Sequence, residues 1–234
     1  MLDTCETLPA AIATYAQAFR NGDAAATLAR VQPSTVVYAM DGGEVVGQTR
    51  AAWKAASAQP APDLATEVVS EGPRTAIVTG RWTQAGVARR DYALWARLEC
   101  CWRIVGRVVG PDSPRDAADG VRAAVGLKLR ADAGWDPVAL AQAIEPRALV
   151  ITLDDEQLVA ASVADWQARY GARAKANYPS KQTVVARAEE GRGDIGAATW
   201  TFRSASGATY ADRALLLRTR EGWRMLALLW VRED

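Results

Sequence analysis

The sequence predicts an α+β fold built from two tandem copies of one small domain. Three observations lead to this prediction: a spaced set of repeated landmarks, a breaker-rich segment near the middle, and the same order of helices and strands in each half. The chain has 234 residues, which suits two domains of roughly 110 residues each. We therefore predict domains at 1–110 and 115–234, joined by a Gly/Pro-rich linker at 110–114.

The internal repeat is visible as pairs of matching residues. Four pairs lie 113 positions apart: Asp23 and Asp136, Pro33 and Pro146, Asp41 and Asp154, and Trp53 and Trp166. Later pairs drift as loops lengthen, to 118 positions for Trp82 and Trp200 and to 121 for Asp91 and Asp212. Landmarks kept at one spacing indicate one structural unit used twice.

Each copy begins with helical periodicity. In the first copy the apolar stripe ends at Asn21-Gly22, and Asp23 is placed to cap a short second helix. In the second copy Gly134 is expected to end the first helix, and Asp136-Pro137 opens the next one. The two apolar stripes consist of Leu8, Ile12, Ala16 and Phe19, and of Val121, Val125 and Leu129.

The rest of each copy predicts a strand, a third helix and an antiparallel meander. Glu221-Gly222 is a hairpin signal before the last strand, whereas Cys100-Cys101 at the same place predicts another turn type. The predicted strands are 35–39, 75–82, 92–98 and 102–109 in the first copy, and 148–153, 196–202, 211–219 and 223–231 in the second. The predicted third helices are 50–58 and 163–170.

Composition excludes several functions. The formal net charge is +1 and no long run of one sign occurs, so we expect no nucleic-acid partner. No apolar stretch is long enough for a membrane span, and the N-terminus lacks a secretory pattern, so we expect a cytoplasmic protein without a membrane partner.

The chemistry available to the chain is limited by its reactive residues. Histidine is absent, which excludes His-based triads and leaves acid–base work to Asp, Glu, Tyr or Lys. The three cysteines, Cys5, Cys100 and Cys101, fit neither a disulfide scaffold nor a zinc site, and we predict reduced thiols. Without a metal motif, a phosphate loop or a dinucleotide fingerprint, we expect no cofactor.

The end of each copy carries a family resemblance. Asp91-Tyr92-Ala93-Leu94 precedes Trp102-Arg103-Ile104-Val105, and Asp212-Arg213-Ala214-Leu215 precedes Trp223-Arg224-Met225-Leu226. With the order of elements, this pattern resembles the nuclear transport factor 2-like superfamily, including its SnoaL-like branch and the branch named for lumazine binding.

The resemblance implies tandem cystatin-like cone domains, each with helices packed in a strongly curved antiparallel sheet. Because members of this superfamily commonly dimerise through their sheets, it also implies an intrachain pseudo-dimer, either monomeric or in a homodimer. The superfamily contains enzymes, ligand binders and transport adaptors. Its dehydratase-like branch uses histidine, which this chain lacks, and no motif of its ketosteroid-isomerase-like branch is intact here.

Two aspartates are weak candidates for a catalytic carboxylate. Asp41, like Asp154, follows the first strand, and Asp91, like Asp212, is expected to begin the penultimate strand. The alternatives are a turn residue for Asp41 and, for Asp91, a strand-end residue paired with a nearby arginine such as Arg89 or Arg90.

Aromatic residues are the candidates for a ligand-binding wall, and core or sheet-interface packing is their alternative role. The second copy has Lys128 and Asp132 where the first has Tyr15 and Phe19, so the two pockets need not bind one molecule, and one need not be open. The candidates are Tyr15, Phe19, Tyr38, Trp53, Trp82, Trp166 and Trp200.

Three functional hypotheses follow from the sequence. The first is a binding or accessory protein for a small apolar or aromatic ligand held in one or both cones. The second is a carboxylate- and tyrosine-dependent isomerase or lyase of the polyketide-cyclase or ketosteroid-isomerase type. The third is a protein-interaction module that uses its Trp-rich strands.

Overall fold

A computed structural model describes residues 5–41, 44–154, 157–178, 183–204 and 206–233. The chain divides into two compact units, Met1–Pro114 and Arg115–Asp234. Each unit combines three helices with a six-stranded sheet, so the α+β class is confirmed. The sheets are mixed rather than wholly antiparallel, because one central pair in each is parallel.

The first unit contains nine elements in the described part of the chain. They are α1 (Leu8–Arg20), α2 (Ala24–Ala29), β1 (Val31–Asp41), β2 (Glu44–Gln48), α3 (Arg50–Ser57), β3 (Ala65–Glu71), β4 (Thr75–Gln84), β5 (Val87–Leu98) and β6 (Cys101–Pro111). The strand order is β2-β1-β6-β5-β4-β3.

The second unit repeats this order. Its elements are α4 (Ala118–Gly134), α5 (Pro137–Ala143), β7 (Ile144–Asp154), β8 (Gln157–Ser162), α6 (Val163–Lys175), β9 (Thr183–Arg192), β10 (Ile195–Arg203), β11 (Thr209–Thr219) and β12 (Gly222–Arg232). The strand order is β8-β7-β12-β11-β10-β9, which matches that of the first unit strand for strand.

The helix ends follow the predicted capping chemistry. The Asp23 carboxylate accepts from the Ala26 N–H at 2.9 Å, and the Asp136 carboxylate accepts from the Val138 N–H at 2.8 Å. At the end of α4 the left-handed residue is Trp135, with φ at 50°, and Gly134 stays inside the helix. The Trp135 ring packs edge-on against Tyr170 of α6.

Several predicted bounds are corrected by hydrogen bonding between strands. Gly110 and Pro111 were assigned to the linker but pair with Arg90 and Arg89 as the end of β6. The strands β2, β3, β8 and β9 were not predicted, because their side chains are largely exposed or half-buried and lack clear alternation. The turn at Glu99 and Cys100 has positive φ at both residues, 46° and 64°, which is the geometry of a two-residue hairpin.

The cysteine prediction is wrong for two of the three residues, because Cys5 and Cys100 form a disulfide. The N-terminal segment is held at the β5–β6 turn: the Glu6 N–H donates to the Cys100 carbonyl at 3.1 Å, and the Glu6 carboxylate pairs with Arg30 at 2.7 Å. These contacts bring together cysteines that lie 95 residues apart in sequence. Cys101 is free and exposed.

The compartment stays a prediction. Disulfides are typical of oxidising compartments, whereas the sequence predicted the cytoplasm. Within the described ranges, no helix is long and apolar enough to cross a membrane.

The helices pack on one face of each sheet and form separate cores. In the first unit Leu8, Ile12 and Phe19 of α1 meet Trp95 and Ile104 of the sheet. In the second unit Val121 and Val125 of α4 meet Leu216 and Met225. The face of β11 that points toward the helices also carries Asp212, which is buried.

Candidate functional site

The second unit contains a cavity of about 340 Å³ between its helices and its sheet. This volume lies at the lower end of the range for small-molecule sites. One wall comes from α4 and α6, and the opposite wall from β7, β10, β11 and β12. The residues that line it are Lys128, Asp132, Trp135, Val150, Thr152, Trp166, Arg169, Tyr170, Arg173, Tyr178, Phe202, Ser204, Ser206, Tyr210, Asp212, Leu228 and Trp230.

Three rings on the sheet form a stacked ladder along one wall. The Phe202 and Tyr210 ring centroids are 5.3 Å apart at an interplanar angle of 17°. Tyr210 and Trp230 are 5.0 Å apart at 7°. Because rings stacked at this spacing cover one another's faces, the ladder turns its ring edges toward the cavity, and such edges suit the face of another aromatic ring in a T-shaped contact.

The opposite wall is formed by rings set edge-on to one another. Trp135 and Tyr170 are in a T-shaped arrangement with centroids 5.2 Å apart, and Trp166 meets Tyr170 at 6.0 Å. The Trp135 indole N–H donates to the Tyr178 carbonyl at 2.9 Å, which fixes the orientation of its ring. The cavity is therefore lined by aromatic side chains on both sides.

A buried ionic network closes the helix side of the cavity. The Lys128 ammonium donates to both carboxylate oxygens of Asp132, at 2.6 and 2.8 Å. The Tyr170 hydroxyl donates to the same carboxylate. Burial alone would lower the pKa of Lys128, but the Asp132 carboxylate raises it overall, so Lys128 stays charged and paired.

Asp212 lines the same cavity. Among the described residues, no donor lies within hydrogen-bond geometry of its buried Oδ1 atom. Burial raises the pKa of Asp212 from 3.8 to about 7, since the charged form loses its hydration. Lys128 opposes the rise and Asp132 adds to it. Asp212 is therefore a carboxyl group that exchanges a proton near neutral pH.

The corresponding space in the first unit, beside Phe19, Trp53 and Trp82, is filled by a side chain of the sheet. The Arg107 side chain occupies it, with its guanidinium 5.1 Å from the Trp53 ring, 5.3 Å from Trp82 and 5.5 Å from Phe19. Its Nε atom pairs with Asp91 at 2.5 Å. The Arg107 guanidinium thus occupies the volume that a ligand would need.

Strand pairing identifies the residue that replaces Arg107 in the second unit. Arg107 pairs with Ala93, two residues beyond Asp91, and Leu228 pairs with Ala214, two residues beyond Asp212. Leu228 is therefore the structural equivalent of Arg107. A leucine at this position leaves the cavity open and leaves the carboxyl group without an arginine partner.

The same register corrects one of the repeat pairs. Asp91 pairs with Gly80, whereas Asp212 pairs with Trp200. Trp200 therefore occupies the place of Gly80, and Trp82 corresponds to Phe202. The glycine is needed in the first unit, because a Cβ there would lie 2.6 Å from the Asp91 Oδ1 atom.

The structure places the predicted ligand residues in three groups. Tyr15, Phe19, Trp53 and Trp82 are buried in the core of the first unit, around the filled space. Tyr38 is buried in β1 outside that cluster. Trp166 lines the open cavity, and Trp200 is buried beside it in the core of the second unit.

The predicted carboxylates are also separated. Asp91 lies inside β5, not at its start, and its partner is Arg107 of β6 and not a neighbour on its own strand. Burial raises the pKa of Asp91, and Arg107 opposes that rise. Asp41 is the last residue of β1, and its side chain lies outside the described part of the chain. Asp154 is exposed.

Several residues of the open cavity were not singled out from the sequence. Lys128 and Asp132 were named only as the counterparts of Tyr15 and Phe19, although their place after Val121 and Val125 on one helical face was a usable signal for buried charge. Tyr170 had no comparable signal, because its role depends on α6 facing α4. The other lining residues that were not singled out include Arg169, Arg173, Tyr178, Phe202 and Tyr210.

The described residues contain no cluster of three or more His, Cys, Asp or Glu that could hold a metal ion. The polar groups of the open cavity are one lysine, two arginines, two carboxyl groups and several hydroxyls. Such a set is suited to hydrogen bonding and proton transfer with an organic ligand.

Comparison with known proteins gives a likeness in fold. A protein of unknown function from Silicibacter pomeroyi, described as NTF2-like, has 18% identity, with 49% of this chain and 93% of the other covered and a TM-score of 0.41. An NTF2-like protein of unknown function from Methylobacillus flagellatus has 13% identity, coverage of 53% and 99%, and a TM-score of 0.42.

A cystatin-like fold protein from Burkholderia xenovorans has 26% identity, coverage of 44% and 88%, and a TM-score of 0.36. No family model and no curated protein matches the chain. The predicted resemblance to NTF2-like proteins is confirmed as a likeness of fold, with each match spanning about half of this chain. This likeness gives no ligand and no reaction.

Proposed function

We propose that the second unit binds a planar aromatic small molecule and that the first unit acts as a closed scaffold. The observation that carries the proposal is the pair of equivalent positions Arg107 and Leu228. Arginine fills the first cavity, whereas leucine lines an open one of about 340 Å³. The stacked rings of Phe202, Tyr210 and Trp230 provide a row of ring edges on which the face of such a ligand can pack.

Ligand binding can be detected through the cavity's own tryptophans. A panel of steroids, flavins, lumazine and naphthalene derivatives is titrated while tryptophan fluorescence and melting temperature are recorded. Saturable quenching together with a raised melting temperature is expected for compounds that enter the cavity. If no compound in the panel changes either signal, the proposal is wrong for planar ligands.

A filled-cavity variant tests where the ligand sits. Leu228→Arg is expected to weaken binding by at least about tenfold, because its side chain would enter the space as Arg107 does in the first unit. The fold should be retained, since Asp212 lies where it can pair with the new guanidinium. The measurement is the same fluorescence titration, with near-UV circular dichroism as the check on folding.

Leu228→Met is the matched control, because it keeps the volume and polarity of the site. It is expected to bind with an affinity close to that of the unchanged protein. Equal affinities for the Leu228→Arg and Leu228→Met variants would place the ligand outside this cavity.

A second candidate function is proton-transfer catalysis, and one observation favours it. Asp212 has a pKa of about 7 and lies in the cavity with Tyr170 and Lys128. At neutral pH its ionised fraction can accept a proton from a carbon acid, and its protonated fraction can return one. An aromatic ketone with acidic C–H bonds next to the carbonyl is the matching substrate class.

Deuterium exchange tests this second candidate. 2-Tetralone in D2O is expected to exchange its α-protons faster with the protein than without it, as followed by NMR. Asp212→Asn is expected to reduce the protein-dependent rate by roughly a hundredfold or more. An unchanged rate in this variant would exclude Asp212 as the proton acceptor and leave the binding proposal intact.

A further inference from the structure

The rim of the open cavity carries two arginines on one face of α6. Arg169 and Arg173 are four residues apart, and both line the cavity. The Arg173 guanidinium lies 4.3 Å from the Trp135 ring and 5.5 Å from Tyr178, and Arg169 lies 5.6 Å from Trp166. Stacking holds the planar groups in place while their N–H donors stay available.

These two arginines are the cavity's available positive charge. Neither forms a salt bridge within the described ranges, whereas the Lys128 ammonium is taken up by both oxygens of Asp132. Asp212 is buried and faces the interior rather than the rim. The Asp165 carboxylate on the same helix interacts electrostatically with Arg169, but the two guanidinium groups outnumber it, so the rim favours an incoming anion over a cation.

The positions of charge and rings define a ligand with two ends. The guanidinium groups stand on the helix wall, and the ladder of Phe202, Tyr210 and Trp230 forms the sheet wall opposite. A carboxylate matches the fork of an arginine, because two N–H groups can donate to its two oxygens. A flat ring attached to that carboxylate would extend from the rim across the ladder.

We infer that the ligand is a planar aromatic carboxylate, with its charged group on Arg169 and Arg173 and its ring against Trp230 and Tyr210. This inference rests on the proposed binding function and adds to it the charge and the orientation of the ligand. It also gives the two ends of the cavity different roles, since Asp212 faces the uncharged end of the molecule.

Matched probes of one ring size test the inference. 2-Naphthoate, the neutral 2-naphthamide and the cation 2-naphthylmethylammonium are titrated into the intact protein at low ionic strength. 2-Naphthoate is expected to bind about tenfold more tightly than 2-naphthamide, as charge-assisted hydrogen bonds exceed neutral ones. The cation is expected to bind most weakly, and added salt should reduce the preference for the anion.

The arginines are then replaced together, as Arg169→Gln and Arg173→Gln in one variant. This variant is expected to bind 2-naphthoate and 2-naphthamide equally, with the amide affinity close to that of the unchanged protein. Lys175→Gln is the matched control, because it removes one positive charge from the same helix outside the cavity lining. It should keep the preference for the carboxylate.

The outcomes separate this inference from the binding proposal. Equal binding of the acid and the amide by the unchanged protein, abolished by Leu228→Arg, would overturn the carboxylate assignment and leave the cavity as a site for neutral aromatic molecules. A preference that survives the double arginine variant would also overturn it. Failure of all three probes to bind at millimolar concentration would contradict both proposals.

Discussion

Replacing Arg107 with methionine is expected to destabilise the first unit by about 3–5 kcal/mol. The substitution leaves the Asp91 carboxylate buried without its partner at 2.5 Å, and it removes the cation that stacks on Trp53, Trp82 and Phe19. Hydrogen exchange followed by mass spectrometry in increasing urea measures the loss, with peptides from β4, β5 and β6 reporting on this unit and peptides from β10, β11 and β12 as the internal reference.

A double variant shows whether the loss arises from an unpaired charge. Adding Asp91→Asn to Arg107→Met removes the carboxylate, so most of the lost stability should return. A smaller-than-additive cost for the two changes is therefore expected. If the double variant is as unstable as the sum of the single ones, the two side chains do not act as a pair, and the filling of the first cavity has another cause.

The Arg107–Asp91 pair also explains how two copies of one domain come to differ in their cavities. A buried arginine–aspartate pair contributes little net stability compared with apolar packing of the same volume, so its presence in the first unit is not required for folding. Leu228 in the second unit shows that the fold accepts an apolar residue at this position. The exchange of arginine for leucine at this position therefore accompanies the change from a filled space to an open cavity.

The sequence predicted the parts of the fold that depend on local chemistry. The stripe of Leu8, Ile12 and Phe19 with the cap at Asp23 identified the first two helices, since both signals lie within a few turns. The strands β4, β5, β6, β10, β11 and β12 were found because each is rich in apolar residues, most of them buried, whereas the mostly exposed β9 was missed. The strand β8 was missed because its side chains alternate weakly and most are exposed.

The site depended on information that local patterns do not contain. The equivalence of Arg107 and Leu228 follows from strand register. The register also makes Phe202 the equivalent of Trp82, two positions beyond the Trp200 that the repeat suggested. Asp91 and Asp212 were recognised as counterparts, but their different surroundings, the Arg107 ion pair from β6 and the charges of Lys128 and Asp132 on α4, come from elements distant in sequence. The disulfide between Cys5 and Cys100 has the same origin.

Replacing Asp212 with asparagine is expected to remove a pH-dependent loss of stability from the second unit. The pKa of Asp212 is raised from 3.8 to about 7 by burial, so the folded state holds the proton more tightly than the unfolded chain does. The stability that Asp212 contributes is therefore full below pH 3.8, falls as the pH rises toward 7, and is constant above that. The ionised carboxylate costs about 4 kcal/mol relative to the protonated one.

Asparagine has nearly the same shape and stays neutral, so the Asp212→Asn variant should not show this fall. Its unfolding free energy relative to the unchanged protein is expected to increase by about 1.4 kcal/mol per pH unit from pH 5 to about 7 and then level off. Urea unfolding at pH 5, 6, 7, 8 and 9 measures the difference, with hydrogen exchange of β11 assigning it to the second unit.

Asp154→Asn is the control, because it makes the same substitution at an exposed position of β7, and the effect assigned to Asp212 is the difference between the two variants. The groups that face Asp212 set the position of the transition. Lys128 favours the ionised form, whereas Asp132 disfavours it, and both lie on α4. A difference between Asp212→Asn and the unchanged protein that stays constant from pH 5 to 9 would mean that Asp212 is ionised throughout. Such a result would remove the neutral carboxyl from the cavity and, with it, the basis for proton transfer at this site.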